Sequence, residues 1–586
     1  MTDTQDIAYL GVETSLTNRR WVGPDPAMDR LAAALRQQAD LPPAVAQVLA
    51  RRGVTPEGAA GYLAPSLRDL LPDPMGLKDM APAATRVLAA VKARERVAIF
   101  ADYDVDGGAS AALLIDWFRA MGQDATLYIP DRIDEGYGPN DDAMAGLAKD
   151  HDLIICVDCG TLSHGPIAAA KGADVVVLDH HLGTPDLPAC VAVVNPNRQD
   201  EDGSLGHLCA AAVVFLLLVE LNRRLRADGT QGPDLMAMLD LVALATVADV
   251  AQLTGVNRAF VRQGLVVMAR RARPGLVALA DVARLDRAPT AYHLGFVLGP
   301  RVNAGGRIGQ ADLGARLLAC TNPAEAAAMA KRLDDLNTDR REIEARVRDA
   351  AMEQATARGL DVPLVWAAAD GWHPGVVGIV ASRLKEATNR PAVVIGFDGD
   401  VGKGSGRSIT GVDLGAAVQR LVAEGLLTKG GGHRMAAGLS VTRDKLDAAM
   451  ARLSDLLARQ GAGDAGPADL RIDGVLMPAG ATPELIEQVE AAGPFGAGAS
   501  APRFAFPSMR ITHTRPVGDG HLKISFTDGG PVTLEAICFN AGQAGLLDPL
   551  QSHGNRPIHL AGRVEINHWQ GRARVQLRLE DAAWET

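Results

Sequence analysis

Aromatic residues make up only 4% of this 586-residue sequence, which disfavours a large β-sandwich and suits close-packed α/β layers rich in Gly and Ala. Cysteine is equally sparse. Six of them spread over the whole length do not make a disulfide framework. Cys156 and Cys159 form a C-x-x-C, but no second close pair follows, so they read as small buried residues near a strand end and not as zinc ligands. Long apolar runs are missing too. The longest, residues 210–219, is stopped by Glu220 and is too short to span a bilayer. The first eleven residues hold acids and no basic-then-apolar run, so no secretory signal is expected and the location expected is cytoplasmic, without membrane contact. A basic excess is also absent. The formal net charge of −11 disfavours indiscriminate polyanion binding, although a local groove with bound cations would still accept a nucleic acid.

What is present is order along the chain. The length calls for several domains. Residues 1–80 read as an N-terminal helical cap with proline breaks at Pro42, Pro43 and Pro65, set on the next domain at 81–321. A charged stretch at 322–359, free of proline after Pro323, suits a solvent-bridging connecting helix. A smaller α/β unit follows at 360–460, then a small-residue linker, and residues 467–586 alternate in β fashion as in a small barrel or sandwich.

Between residues 96 and 195, five short apolar runs (97–100, 126–129, 153–157, 175–178, 191–194) alternate with Ala-rich helical stretches. That is the pattern of a parallel sheet with crossover helices. Each run ends in polar residues: Asp102, Asp104 and Asp106; Asp131 and Arg132; Asp158; Asp179, His180 and His181; Asn195. Ligand crevices of open parallel sheets lie beyond the carboxyl ends of the strands, so these side chains should converge. Residues 208–320 read as helical, interrupted by a glycine-rich loop at 299–309.

Converging carboxylates suggest metal chemistry. Phosphodiester hydrolysis needs charge neutralisation and a hydroxide at neutral pH, which two divalent ions ~3.5–4 Å apart supply. Oxygen ligands with a single imidazole favour Mn²⁺ or Mg²⁺. Asp104 and Asp106 are spaced to serve different ions, Asp158 to bridge them, and Asp179 to hold the His180 imidazole in one tautomer. Asp249 is the acid of an otherwise apolar helical segment. Singly, Asp106 reads equally well as a turn former, whereas Asp249 reads better as a helix cap or terminator and the two histidines as surface or packing residues. Jointly, so many acids in one crevice would repel one another unless cations bind there.

The segments Asp102-Tyr-Asp-Val-Asp-Gly107, Val157-Asp-Cys-Gly-Thr161, Leu178-Asp-His-His181 and Ala245-Thr-Val-Ala-Asp249 resemble successive motifs of the DHH phosphoesterase superfamily. Gly430-Gly-Gly-His-Arg-Met-Ala-Ala-Gly438 resembles the signature of its companion DHHA1 domain. Glu135-Gly-Tyr-Gly138, Val194-Asn-Pro-Asn197, Pro300-Arg-Val-Asn-Ala-Gly-Gly-Arg307, Gly371-Trp-His-Pro-Gly-Val-Val-Gly378 and Gly493-Pro-Phe-Gly-Ala-Gly498 are similar to segments of the RecJ family of single-strand-specific DNA exonucleases. The resemblance implies an α/β fold: a parallel-sheet DHH domain and a smaller α/β DHHA1 domain joined by a long helix, plus a C-terminal OB-fold β-barrel. It implies a 5′-to-3′ exonuclease that releases 5′-mononucleotides in DNA repair and recombination, with two Mn²⁺ or Mg²⁺ ions. Its partners would be single-stranded DNA, single-strand-binding protein and a helicase, and a monomer is expected.

Carried over residue by residue, the resemblance implies metal ligation by Asp104, Asp106, Asp158, His180 and Asp249. Catalytic roles would fall to Asp158, Asp102, Asp179 and His181, the last contacting a substrate phosphate. Arg132, Arg301 and Arg307 would contact phosphates, with Asn303 shaping the loop between the last two. Ser405 and Arg407 fit a pocket for the terminal 5′ phosphate, and His433 with its glycines a backbone-binding surface. For residues 404–407 and 430–432 a plain tight turn is the alternative. His373 either contacts the scissile region or packs. Trp569 is either a base-stacking platform in the barrel or a barrel-end core residue. Two rival functions are a DHH-type phosphodiesterase of short oligonucleotides or cyclic dinucleotides, and a non-catalytic replication scaffold.

Overall fold

The computed structural model describes residues 8–131, 135–136, 138–463, 468–518, 520–569 and 572–585. They fall into two compact units, Ser66–Asp464 with Gly496–Gly498, and Met1–Pro65 with Ala465–Phe495 and Ala499–Thr586. Arg132 and the Trp569 side chain lie outside the described residues.

The first unit opens with a five-stranded sheet. Its strands are β1 (Val97–Ala101), β2 (Ala125–Tyr128), β3 (Leu153–Val157), β4 (Asp174–Leu178) and β5 (Ala192–Val194), in spatial order β2-β1-β3-β4-β5 and all parallel. In register, Ile99 faces Leu127 on one side and Ile155 on the other. β1, β3 and β5 are buried throughout, as helix-covered parallel strands must be, which explains their unbroken apolar runs. Strand order reverses between β1 and β3. That switch point is where the crevice of such a sheet opens.

Helix α1 (Val105–Ala120) follows β1, and α2 (Ala210–Ala227) and α3 (Leu239–Ala248) pack against α1 and against each other. Residues 299–309 were expected as a loop but form α4 (Gly299–Ile308). Glycine costs a helix interior roughly 1 kcal/mol relative to Ala. Here it is required for close approach: a Cβ on Gly306 would lie 2.6 Å from the Tyr103 carbonyl oxygen.

The connecting helix is α5 (Pro323–Arg358), N-capped by the Asn322 side chain and ended at Gly359 with φ +94°. It is not wholly solvent-bridging. Ala326, Ala330, Leu333, Leu336, Val347, Ala351 and Ala355 are buried along it.

Beyond it, β6 (Val365–Asp370), α6 (Pro374–Thr388), β7 (Ala392–Asp398), β8 (Val401–Arg407), β9 (Lys429–His433) and β10 (Ala436–Thr442) form the smaller α/β domain, with sheet order β9-β10-β8-β7-β6. Residues 404–407 and 430–432 are therefore strand segments and not tight turns. Their glycines pair across the sheet, Gly406 with Ala437 and Gly431 with Gly438.

The second unit holds β11 (Phe504–Val517), β12 (His521–Thr527), β13 (Leu534–Cys538), β14 (Ile558–Trp569) and β15 (Arg572–Trp584). Pairing runs β11-β12-β13-β15-β14, and β14 returns to β11, which closes a barrel and leaves these strands no free sheet edge. Phe504, Phe506 and Phe526 fill it. The first 65 residues, expected as a cap on the segment that follows them, group instead with this barrel. Arg19–Val22 pairs in parallel with Ala468–Arg471, and the buried Trp21 donates its Nε1–H to Asp581 at 2.8 Å.

Candidate active site

Asp104 sits between β1 and α1 and caps the helix, accepting from the amides of Asp106 at 2.8 Å and Gly107 at 3.2 Å. Only glycine fits at 107, because a Cβ there would strike the Asp102 carbonyl oxygen. Asp106, on the first turn of α1, is fully buried and reaches the start of α2. There the amides of Ala210 and Ala211 donate to its two oxygens at 2.6 and 2.8 Å. The positive end of a helix so holds a carboxylate that faces the crevice.

Asp158 follows β3 in the left-handed region, φ +59°, and Val250, directly after Asp249 at the end of α3, has φ +58°. Non-glycine residues held there store on the order of 1 kcal/mol each, and such strain gathers at functional sites.

These residues meet at His180. Its Nε2 lies 3.2 Å from Asp158 Oδ1 and 3.8 Å from Asp106 Oδ2, and its Nδ1 lies 3.9 Å from Asp249 Oδ2. Three groups of donor atoms, each within 4.8 Å of one another, are thus assembled: Asp106, His180 and Asp249; Asp102, Asp104 and Asp158; and Asp158 with His180 and His181. Asp158 is shared by the last two and touches the first through His180. All five expected metal residues are brought together, and Asp102 joins them beside Asp104.

Electrostatics match the geometry. Burial, then the charges of Asp106, Asp104, Asp102 and Asp249, push the Asp158 carboxyl well above the usual range. Burial, then Asp106 and Asp104, push Asp249 up to about 8. Asp106 is raised by burial against the pull of His180. Carboxylates this crowded favour a bound cation, and oxygen donors with one imidazole suit a hard divalent ion.

Asp179 does not hold His180, as its place beside that residue suggests. It accepts from His181 Nδ1 at 2.8 Å and from the amides of His180 and Thr161 at 2.8 and 3.1 Å. Adjacent side chains at a strand end diverge, so the carboxylate reaches the second ring and leaves the first to the aspartates. Burial works against the Asp179 carboxylate, but the hydrogen bond and charge of His181 more than compensate and hold it well below the usual range. Burial likewise opposes the His181 imidazolium, yet Asp179, with Asp249 and Asp102, raises it to about 9. Asn195 and Asn197 complete the support. Asn195 donates to Thr161 Oγ1 at 2.9 Å and to the His181 carbonyl at 2.8 Å, and Asn197 donates to the His180 carbonyl at 2.6 Å. Their positions after β5, in the segment Val194-Asn-Pro-Asn197, were the sequence signal for them, but not for this role.

Of the expected substrate contacts, Asn303 is on α4 and accepts the Val105 amide at 3.0 Å, so it fixes the Asp-rich turn and shapes no loop. Arg301 is paired with Asp334 of α5 at 2.8 Å. Arg307 donates to the Gly375 carbonyl at 3.1 Å, which joins α4 to the start of α6. His373 N-caps α6, its Nδ1 accepting the Gly375 amide at 3.0 Å. Ser405 and Arg407 lie side by side on β8, bonded at 3.1 Å, and a Cβ on Gly378 of α6 would sit 3.1 Å from Ser405 Oγ. His433 is exposed on edge strand β9.

Family models match in three segments: the DHH family N-terminal domain at residues 96–246, the DHHA1 domain at 361–459 and the RecJ OB domain at 472–581. Among curated proteins, the single-stranded-DNA-specific exonuclease RecJ of Dickeya dadantii is 39% identical, covering 92% of this chain and 96% of its own. The RecJ of Escherichia coli is 36% identical over 93% and 96%. Among solved structures, RecJ of Thermus thermophilus in complex with Mn²⁺ superposes with a TM-score of 0.80 at 28% identity, covering 96% of this chain and 79% of that one. Matched over more than nine-tenths of its length by such curated relatives, and carrying the three domains, the chain belongs to the RecJ family of single-stranded-DNA-specific exonucleases.

Proposed function

We propose that this chain is a metal-dependent exonuclease that hydrolyses single-stranded DNA from the 5′ end and releases 5′-mononucleotides. The observation that carries the reading is the shared Asp158, set between two groups of donors at the switch point of the sheet. Asp106, His180 and Asp249 would hold one Mn²⁺ or Mg²⁺, Asp102 and Asp104 the other, with Asp158 common to both. Two such ions supply charge neutralisation on the phosphate and an activated water at neutral pH.

The chain's own residues set the rest. Asp179 orients His181, half-exposed at the rim, to donate to a phosphate oxygen. Ser405 and Arg407, beside the amino end of α6, would take the terminal 5′ phosphate, where helix N–H groups and a guanidinium both favour an anion. That placement supports the 5′ polarity. Arg307 and His373 sit at the junction of the two domains and would border the strand between these points. The closed barrel supports a strand-binding role for the C-terminal segment, and a role in DNA repair and recombination is consistent with the family.

The test offers 5′-phosphorylated single strands, blocked at either end, with duplex and cyclic dinucleotide controls in Mn²⁺. Mononucleotide release stopped only by the 5′ block supports the reading. Release stopped only by a 3′ block, or turnover of the cyclic dinucleotide alone, refutes it.

A further inference from the structure

The five most exposed large apolar side chains among the described residues are Phe296 (72%), Val250 (71%), Leu182 (69%), Leu162 (55%) and Tyr292 (50%). None is scattered at random. Leu182 directly follows His181, and Val250 directly follows Asp249. Leu162 follows Thr161, whose amide donates to Asp179.

Tyr292 and Phe296 are placed by packing. They stand on the turns Ala291–His293 and Leu294–Leu298, which run straight into α4. A Cβ on Gly295 would lie 3.3 Å from Val247 Cγ1, and one on Gly299 would lie 3.3 Å from the Cβ of Ala248, so this segment rests on the last turn of α3, the turn that ends in Asp249. The two rings stack on each other with centroids 5.0 Å apart and planes at 25°. Leu294–Leu298 is a π-turn, a geometry that concentrates at functional sites. Further along, Asn303 and Gly306 face Val105 and Tyr103 of the metal turn.

Exposure of this degree excludes a core role, and in a chain with few aromatics a solvent-facing stacked pair is a specific feature. We propose that Leu162, Leu182, Val250, Tyr292 and Phe296 form an apolar rim that receives the bases of the substrate strand while the acids and cations engage its phosphates, with Phe296 and Tyr292 as the stacking platform. The inference rests on the nuclease reading above. Every base has an apolar face, so such a rim grips a strand without regard to sequence, and paired bases within a duplex do not offer those faces.

The experiment compares wild type, Phe296→Ala, Phe296→Trp and Tyr292→Ala on a 5′-phosphorylated oligothymidylate, and on a series with one abasic nucleotide at successive positions. Loss of one stacked base weakens binding roughly 5- to 100-fold. Phe296→Ala should therefore raise KM by that factor with kcat and Tm nearly unchanged, and Phe296→Trp should restore KM. An abasic nucleotide at one position should weaken wild type and add nothing to Phe296→Ala. An unchanged KM in an active Phe296→Ala variant, or a loss confined to kcat and Tm, overturns the rim. A wild type inactive on single strands instead overturns the nuclease reading itself.

Discussion

Asp179 accepts the Nδ1 hydrogen bond of His181 at 2.8 Å, while His180, its neighbour in sequence, turns Nε2 to within 3.2 Å of Asp158. One tandem pair thus splits in two, a ring turned toward the aspartate cluster and a ring held by Asp179.

Asp179→Asn tests that division. Asparagine offers one acceptor oxygen where the aspartate uses two, for the His181 ring on one side and the Thr161 amide on the other. Loss of such an orienting partner costs about 10- to 100-fold. The variant should lose that much kcat on a single-stranded oligonucleotide while Mn²⁺ affinity by calorimetry stays within a few-fold. A collapse of Mn²⁺ affinity with kcat preserved at saturating metal would make Asp179 part of the ligand shell.

Asp158→Asn should abolish hydrolysis, by about 10³-fold or more, because it removes the carboxylate shared by two of the three donor groups. Asparagine also tolerates the left-handed backbone at this position. Stability should respond in the opposite sense. In metal-free buffer the buried carboxylate is repelled by Asp106, Asp104, Asp102 and Asp249, so the variant should melt at the same temperature as wild type or higher. Scanning calorimetry in EDTA, with strand binding measured in the same buffer, checks both.

The acid cluster also sets a pH dependence. Asp249 is raised to about 8 in the folded chain, against roughly 3.9 for an unfolded Asp. Between those values the metal-free native state binds more protons than the unfolded state, so this group's contribution to stability falls as pH rises. Cation binding replaces the proton. The gain in Tm on adding Mn²⁺ should therefore be larger at pH 8.5 than at pH 6, and calorimetry in buffers of different ionisation enthalpy should detect proton release at pH 6. An equal gain at both pH values would show that Asp249 does not feel the ion.

Much of this centre was readable in the residues. A helix-covered parallel strand must be an unbroken apolar run, so 97–100 and 153–157 stood out, and whatever followed them had to lie at the crevice. Sequence adjacency carries no side-chain direction, which is why Asp179 seemed to serve His180. Glycine propensity argued for a loop at 299–309, while tight packing on Tyr103 decided for a helix. The apolar rim was invisible for a different reason. Its proposed members are single residues far apart in the chain, and their exposure is set by the fold.

Gly306→Ala separates helix propensity from that packing. In an isolated helix the change gains roughly 1 kcal/mol. Here the new methyl would sit 2.6 Å from the Tyr103 carbonyl oxygen, and backbone cannot yield as a side-chain tip can. Overpacking of this kind costs about 1–3 kcal/mol. The variant should melt below wild type and lose kcat, since the displaced turn carries Asp102 and Asp104. A rise in Tm would mean that α4 shifts freely away from the metal turn.

The pairing of Arg19–Val22 with Ala468–Arg471 governs which truncations survive. A chain ending at residue 463 keeps Trp21 but loses Leu470, Ala505 and Ala583, which bury it, and the Asp581 carboxylate that accepts from its indole. Returning a buried Trp to water costs roughly 4–6 kcal/mol. Residues 1–463 should therefore aggregate on expression. Residues 66–463, which shed both halves of that unit, should stay monodisperse and still cleave a very short oligonucleotide in Mn²⁺, with affinity for long strands reduced. Light scattering and a length series of substrates measure this. If 1–463 were as well behaved as 66–463, the N-terminal segment would have to hold its fold without the barrel, and the pairing would be incidental to its stability.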